Sequence, residues 1–449
     1  MSRVVSEQQL IAAESKSAFC KEIDPKPMNG QSESKNLFKT QSGLISPTGR
    51  LHYFLAVGFC LSLLVAVVLD WANFYGLVNL YAKKIVHASV FLVFIIFLFD
   101  PTLWKGRERF PLALPFLAFG MLVLVYALYK NALADEIYYT SRILFWISGG
   151  FYVYELLCKD LFPKRIFFFV IDLIVVFYFV MVLYTLLDTS VRYTQNISIY
   201  TLLWCVPVLM LQKKTKTRTA FIILACFGVL LSFKRGAMIA LVFSFLCYHC
   251  ARIFLIGSFR EFVKAFCITF FLATIVMLSV QFVRSVRPEF YQRRISDLSS
   301  KDSYGSGRSV FYAVIVEHYL YAFNHDAVHF FFGYGSRSVQ KLLAEYYGVA
   351  EEFGAYAHSD WLQIMHDYGL AGIGILAWLH MAIIRLIFKR LRKKDEMLPP
   401  LAMTYAIFFL LNLYSGFFFS PNAVYFSIFL SYNMSNNVEK RDTLRIIYA

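Results

Sequence analysis

Three residues in this chain have the type and setting to do chemistry together: His358, Arg308 and Arg235. His358, in AHSDWLQIMHDYG, stands just outside the membrane at or near a helix start, two residues before Asp360, with Ser359 between them. A neutral imidazole at such a place can take a proton from an acceptor hydroxyl. A second reading stands beside it, in which Ser359 and Asp360 cap a helix and His358 is an interfacial polar residue. Arg235, in LLSFKRGAMIAL, separates two apolar runs. A guanidinium there either anchors a helix at the membrane boundary or grips an anion, since its fork matches phosphate oxygens two at a time and a helix N-terminus adds positive potential. Arg308 follows Gly305-Ser-Gly307, a turn able to bring backbone amides and a side chain onto one anion. Arg142 and Arg337 are secondary candidates for substrate contact, as is Asp360 beside His358.

Other constellations carry less. His325 and His329 have the i, i+4 spacing of half a zinc site, but Asp326 stands where a zincin has Glu and no third ligand accompanies the pair, so no metal is expected. Cys247 and Cys250 have CxxC spacing without a second ligand pair and read as packing residues. Asp172 lies inside an apolar run, where a Tyr hydroxyl or a Lys is the expected structural partner. Nucleotide-binding patterns are missing, and no cofactor is expected.

The elements that must hold these residues are membrane helices. With 59% hydrophobic, 18% aromatic and only 16% charged residues in 449, and a mean hydropathy of +0.57, the chain reads as an all-α polytopic membrane protein. Runs of membrane-crossing length fall at 51–69, 85–99, 110–129, 137–157, 166–187, 197–212, 219–232, 236–256, 265–283, 369–388, 400–419 and 421–432, which gives about 12 transmembrane helices. The boundary at Phe233-Lys234-Arg235 stays open, because 219–256 also reads as one long helix with a buried arginine.

The net charge of +15 follows this topology. With the N-terminus inside, the short inner loops hold 19 basic residues and the short outer loops 7, so the positive-inside rule places both termini in the cytoplasm. The long polar stretch 284–368 then lies outside, with 8 basic against 10 acidic residues, which argues against nucleic-acid binding. The expected organisation is a flexible cytoplasmic tail (1–50), nine spans (51–283), the large periplasmic loop (284–368), three spans (369–432) and a cytoplasmic C-terminal tail (433–449). Within the loop, 285–307 reads as extended and turn-rich, Arg308 to Phe323 as a helix lying against the membrane, Phe331 to Ser338 as a glycine turn and Val339 to Tyr347 as a short amphipathic helix. In a helix after His358, Leu362, Met365, Gly369 and Gly372 share one side, so the glycines are expected to admit a neighbouring helix.

In their order along the chain, LLSFKRGAMIALV, GSGRSVFYAVIVEHYLYAFNHDAVHFFFGYGSRS and AHSDWLQIMHDYGLAGIGIL resemble three segments of the O-antigen ligases and related polymerases of bacterial surface polysaccharides. The detailed resemblance covers about 220–385. It implies a metal-independent glycosyltransferase of the bacterial inner membrane, with its site on the periplasmic side, acting in O-antigen, lipopolysaccharide or exopolysaccharide biosynthesis. The donor implied is an undecaprenyl-diphosphate-linked glycan; the acceptor is another repeat unit for a polymerase or lipid A-core for a ligase, with possible partners in polysaccharide assembly. On the resemblance, Arg235 and Arg308 hold the diphosphate and His358 acts on the acceptor hydroxyl. Ser359 replaces the family's usual Asn and Lys234 its usual Ser; the first departure tilts the reading towards the polymerases. A flippase for lipid-linked glycans is the alternative of a different class, and it predicts charges spread through a central cavity rather than gathered on one face.

Overall fold

The computed structural model describes residues 47–74, 77, 112–129, 134–187, 196–212, 215–289, 291–292, 308–349, 356–418, 420 and 423–447, and only the backbone at 47–48, 73–74, 127, 134–142, 144, 196–198, 272 and 436–447. Every regular element among them is a helix: α1 (Pro47–Phe74), α2 (Ala113–Tyr129), α3 (Ala134–Cys158), α4 (Lys164–Leu187), α5 (Asn196–Leu209), α6 (Lys216–Leu231), α7 (Arg235–Ile256), α8 (Phe259–Val286), α9 (Arg308–His325), α10 (Ala327–Phe332), α11 (Ser338–Tyr347), α12 (Asp360–Arg392), α13 (Leu398–Tyr414) and α14 (Ala423–Ile447). Each apolar run falls on one of these helices except 85–99, which lies outside the described residues. By length and composition, helices at Gly49–Ala72, Lys164–Leu187, Arg235–Ile256, Phe259–Val286 and Asp360–Arg392 are able to cross a membrane, and shorter apolar helices lie at Ala113–Tyr126, Ile199–Leu209 and Leu398–Tyr414.

From residue 52 onward the helices share an apolar core in which the largest wholly buried rings include Trp146, Trp204, Phe408, Phe418 and Phe426. Phe408 of α13 stacks on Phe426 of α14 at 4.2 Å. The Trp146 indole N–H donates to the Phe418 carbonyl at 3.1 Å, so its one polar atom is satisfied inside the core. α8 differs, turning Phe262, Phe266, Phe270, Phe271, Met277 and Leu278 outward. Apolar faces of this kind on a spanning helix suit lipid rather than water.

At Phe233 the chain breaks. α6 ends at Leu231, Phe233 takes a left-handed φ of 55° and α7 starts at Arg235, so the single-helix reading of 219–256 is excluded. Asp172, on α4, lies near the Gln212 side chain, and its Oδ1 has no hydrogen-bond partner among the described residues, so the Tyr or Lys partner expected from sequence is not found.

Gly369 also departs from expectation. It interrupts α12 with φ 63° and ψ −156°, and what approaches it is the end of α10 rather than a neighbouring spanning helix. A Cβ there would lie 2.6 Å from the Gly333 nitrogen and from the Phe331 carbonyl carbon. Leu362 and Met365 pack on a second small core of Ile315, Val339, Leu343 and Ala357, so they face α9 and α11. Gly369→Ala combines a left-handed backbone with a backbone clash and is expected to cost about 2 kcal/mol or more. Its melting temperature in detergent, set beside that of Gly374→Ala, checks this, because nothing lies within 4 Å of a Cβ at Gly374.

Candidate functional site

The heads of α7, α9 and α12 and the end of α13 meet at one place. The Lys234 N–H donates to Ser232 Oγ at 3.2 Å, which holds the turn that presents Lys234 and Arg235 at the start of α7. Arg308, the first residue of α9, donates from Nη1 to the Tyr414 carbonyl at 2.7 Å. The Tyr414 hydroxyl in turn donates to the Gly236 carbonyl at 2.5 Å. Only glycine admits that ring, since a Cβ at 236 would lie 2.6 Å from Tyr414 Cε2. Tyr414 therefore bridges the two helix heads that carry Arg235 and Arg308.

His358 stands beside Arg308 and Lys234. Its φ of 55° is left-handed, a conformation that costs a non-glycine residue about 1 kcal/mol and must be imposed by its surroundings. Its carbonyl accepts the Tyr312 hydroxyl at 3.3 Å. Burial, then the Arg308 cation, then that of Lys234, push the imidazole down to about 4. It is therefore neutral at physiological pH and able to accept a proton. From Tyr312 a shallow groove of about 550 Å³ runs along α9 over Ala313, Val316, Glu317 and Leu320.

Ser359 is the N-cap of α12, its Oγ accepting the Leu362 N–H at 3.5 Å. Serine and asparagine cap about equally well, so the departure from the family's Asn preserves this local function. Asp360 is wholly buried, and its carboxyl accepts the N–H of Phe417 at 2.6 Å and that of Phe418 at 3.2 Å. It fastens the turn after α13, in which Gly416 takes φ 74°, and so supports the Tyr414 carbonyl that receives Arg308. Asp360→Ala leaves two buried N–H groups without a partner. A stability loss of about 2–4 kcal/mol is expected, read as a lowered melting temperature, with Asp360→Asn in between.

The structure thus gathers His358, Arg308 and the head of α7, while Asp360 serves the backbone rather than the site. Arg337 begins α11 in a left-handed conformation, and its backbone meets Asp367. Arg142 lies on α3, with its side chain outside the described residues. His325 and His329 do not share a helix: His325 ends α9, Asp326 caps α10, and the Asp326 carboxylate takes His329 Nδ1 at 2.5 Å. The two imidazoles therefore lie on separate helices, without the one-turn spacing of a single helix face.

Sequence reasoning misses Lys234 as a neighbour of His358, though its place next to Arg235 is a usable signal. Tyr312 and Tyr414 give no such signal, because each joins the site only through folding. A further polar cluster backs the site. Asp367 accepts the Ser338 hydroxyl at 2.7 Å and the Val339 N–H at 3.3 Å. His366 Nδ1 lies 2.7 Å from Ser338 Oγ, and its Nε2 lies 3.0 Å from His318 Nδ1. These bonds clamp α9 and α11 to the head of α12.

Fold and site together describe a multi-pass, all-helical membrane protein with cations and a neutral histidine gathered at helix ends. Residues 220–377 match the family model described as O-antigen ligase, and this matched segment contains Lys234, Arg235, Arg308 and His358. Over that segment the chain is similar to this family of membrane enzymes acting on polysaccharides. No curated protein matches the chain.

Proposed function

We propose that the protein is a glycosyltransferase that moves a glycan from undecaprenyl diphosphate to an acceptor hydroxyl, at the periplasmic face of the bacterial inner membrane. The observation that carries this is the neutral His358 imidazole beside Arg308 and Lys234. Arg308, Lys234 and Arg235 receive the diphosphate, which gains negative charge as the glycosidic bond breaks. Fixed cations then stabilise the transition state more than the ground state. His358 takes the acceptor proton as the hydroxyl oxygen bonds to the anomeric carbon, and the diphosphate leaves with the bonding electron pair. Attack from the side opposite the leaving group inverts the anomeric configuration. Charge on the diphosphate is met by side chains, so the reaction needs no metal.

Of the two acceptors, a growing chain of repeat units is the leading reading and lipid A-core the second. Purified protein given a defined undecaprenyl-diphosphate repeat, with and without lipid A-core, tests both. A ladder without core establishes a polymerase, one transfer to core establishes a ligase, and neither product overturns the enzyme reading. A flippase would move the repeat between leaflets of a vesicle without changing its chain length.

A further inference from the structure

The left-handed backbone at His358 needs a cause, and one buried side chain binds the peptide just before it. Gln363, 3% exposed and one turn into α12, accepts the Ala357 N–H on Oε1 at 3.1 Å. Its Nε2 donates to Asp367 Oδ2 at 2.8 Å. The two partners fix which way the amide points. Asp367 receives the Ser338 hydroxyl, the Val339 and Arg337 N–H groups and the Gln363 amide, so it acts as an acceptor and must face the NH2 group. The Ala357 N–H can only donate and must face the oxygen. The chain Ser338–Asp367–Gln363–Ala357 thus ends on the residue that precedes His358.

We propose that Gln363, held in one orientation by Asp367, is a positioning residue that sets the His358 backbone and so keeps the imidazole beside Arg308 and Lys234. Its catalytic consequence rests on the reading of His358 as the base. The geometric claim does not. Gln363 acts through the Ala357 peptide.

The test exchanges the two head groups. Gln363→Glu keeps an oxygen for Ala357 but sets a second carboxylate against Asp367. Asp367→Asn keeps an oxygen for Ser338 and Val339 but turns an NH2 towards the Gln363 NH2. The double variant Gln363→Glu/Asp367→Asn restores one donor facing one acceptor between the two side chains and keeps an oxygen for Ala357, Ser338 and Val339. Two readouts are followed on purified full-length protein in detergent: kcat and donor KM for glycan transfer, and the rate at which diethyl pyrocarbonate modifies His358, resolved by peptide mapping.

Each single variant is expected to lower kcat by about 10- to 100-fold with donor KM nearly unchanged, as for a displaced catalytic group, and to change the His358 modification rate several-fold. The double variant recovers both. Single variants that match wild type in both readouts, or a double variant no better than the singles, overturn the proposal. Recovery of His358 reactivity in a protein whose activity survives His358→Ala keeps the positioning claim and sinks the catalytic one. If Asp367→Asn fails to fold, Gln363→Glu and the double variant still decide, because recovery by adding that same substitution cannot come from general destabilisation.

Discussion

Replacing His358 with alanine is expected to lower kcat for glycan transfer by about 10²- to 10⁴-fold, the usual contribution of a positioned general base. Expression and melting temperature should change little, since the imidazole makes none of the core contacts described above. The pH profile distinguishes a base from a binding group. The imidazole sits at about 4 in the free protein, pushed down from its ordinary value by burial, Arg308 and Lys234. A base must be deprotonated, so kcat/KM should hold as pH falls from 7 and collapse only near 4. Bound diphosphate offsets the two cations and favours the imidazolium, so the acid limb of kcat should lie at higher pH than that of kcat/KM. A profile without an acid limb above pH 3, or activity of His358→Ala close to wild type, contradicts the assignment.

Arg308→Ala is expected to lower kcat by about 10²- to 10³-fold, in the range seen when one preorganised charge-stabilising donor is removed. Arg308→Lys should recover little, because a lysine ammonium cannot serve the Tyr414 carbonyl and grip two phosphate oxygens with one planar fork. The two sites are coupled, and the sign of the coupling is fixed. Removing the Arg308 cation relieves His358 of a repulsive neighbour, so its pKa rises towards the ordinary value and the acid limb of kcat/KM in Arg308→Ala moves to higher pH. Steady-state kinetics across pH on both variants checks this, and an unmoved acid limb means that Arg308 and His358 do not share a site.

The membrane helices were readable because lipid imposes long apolar runs, and α1, α4, α7 and α8 all follow them. Lengths were less readable. The run at 265–283 lies inside α8, which continues from Phe259 to Val286, and the run at 369–388 is only the lower part of α12. Arg308 as a helix start was legible from the glycines before it, and α11 from its amphipathic pattern. The short α10 was not, since AVHFFF has no period long enough to read. Within the site, types and positions pointed to His358, Arg308 and Arg235, which are sparse polar residues in an apolar chain. Tyr414, Gly236 and Asp360 were illegible for the opposite reason: their contacts join positions 57 to 178 residues apart. Asp360 shows the limit most clearly, because its place beside His358 suggests catalysis while its carboxyl faces two backbone amides of a distant turn.

The interruption at Gly369 bears on how the protein meets bilayers of different thickness. A spanning helix answers a thinner or thicker membrane by changing its tilt. Were α12 one rigid rod, its nine residues above Gly369 would form an arm of about 14 Å, and a tilt of roughly ten degrees would swing the tip by about 2 Å, enough to misplace a reacting group. The broken backbone removes that lever. The head of α12 takes its orientation from α9, α10 and α11 and, through Asp360, from the turn after α13, so His358 need not follow a change of tilt in the segment that Gly369 sets off.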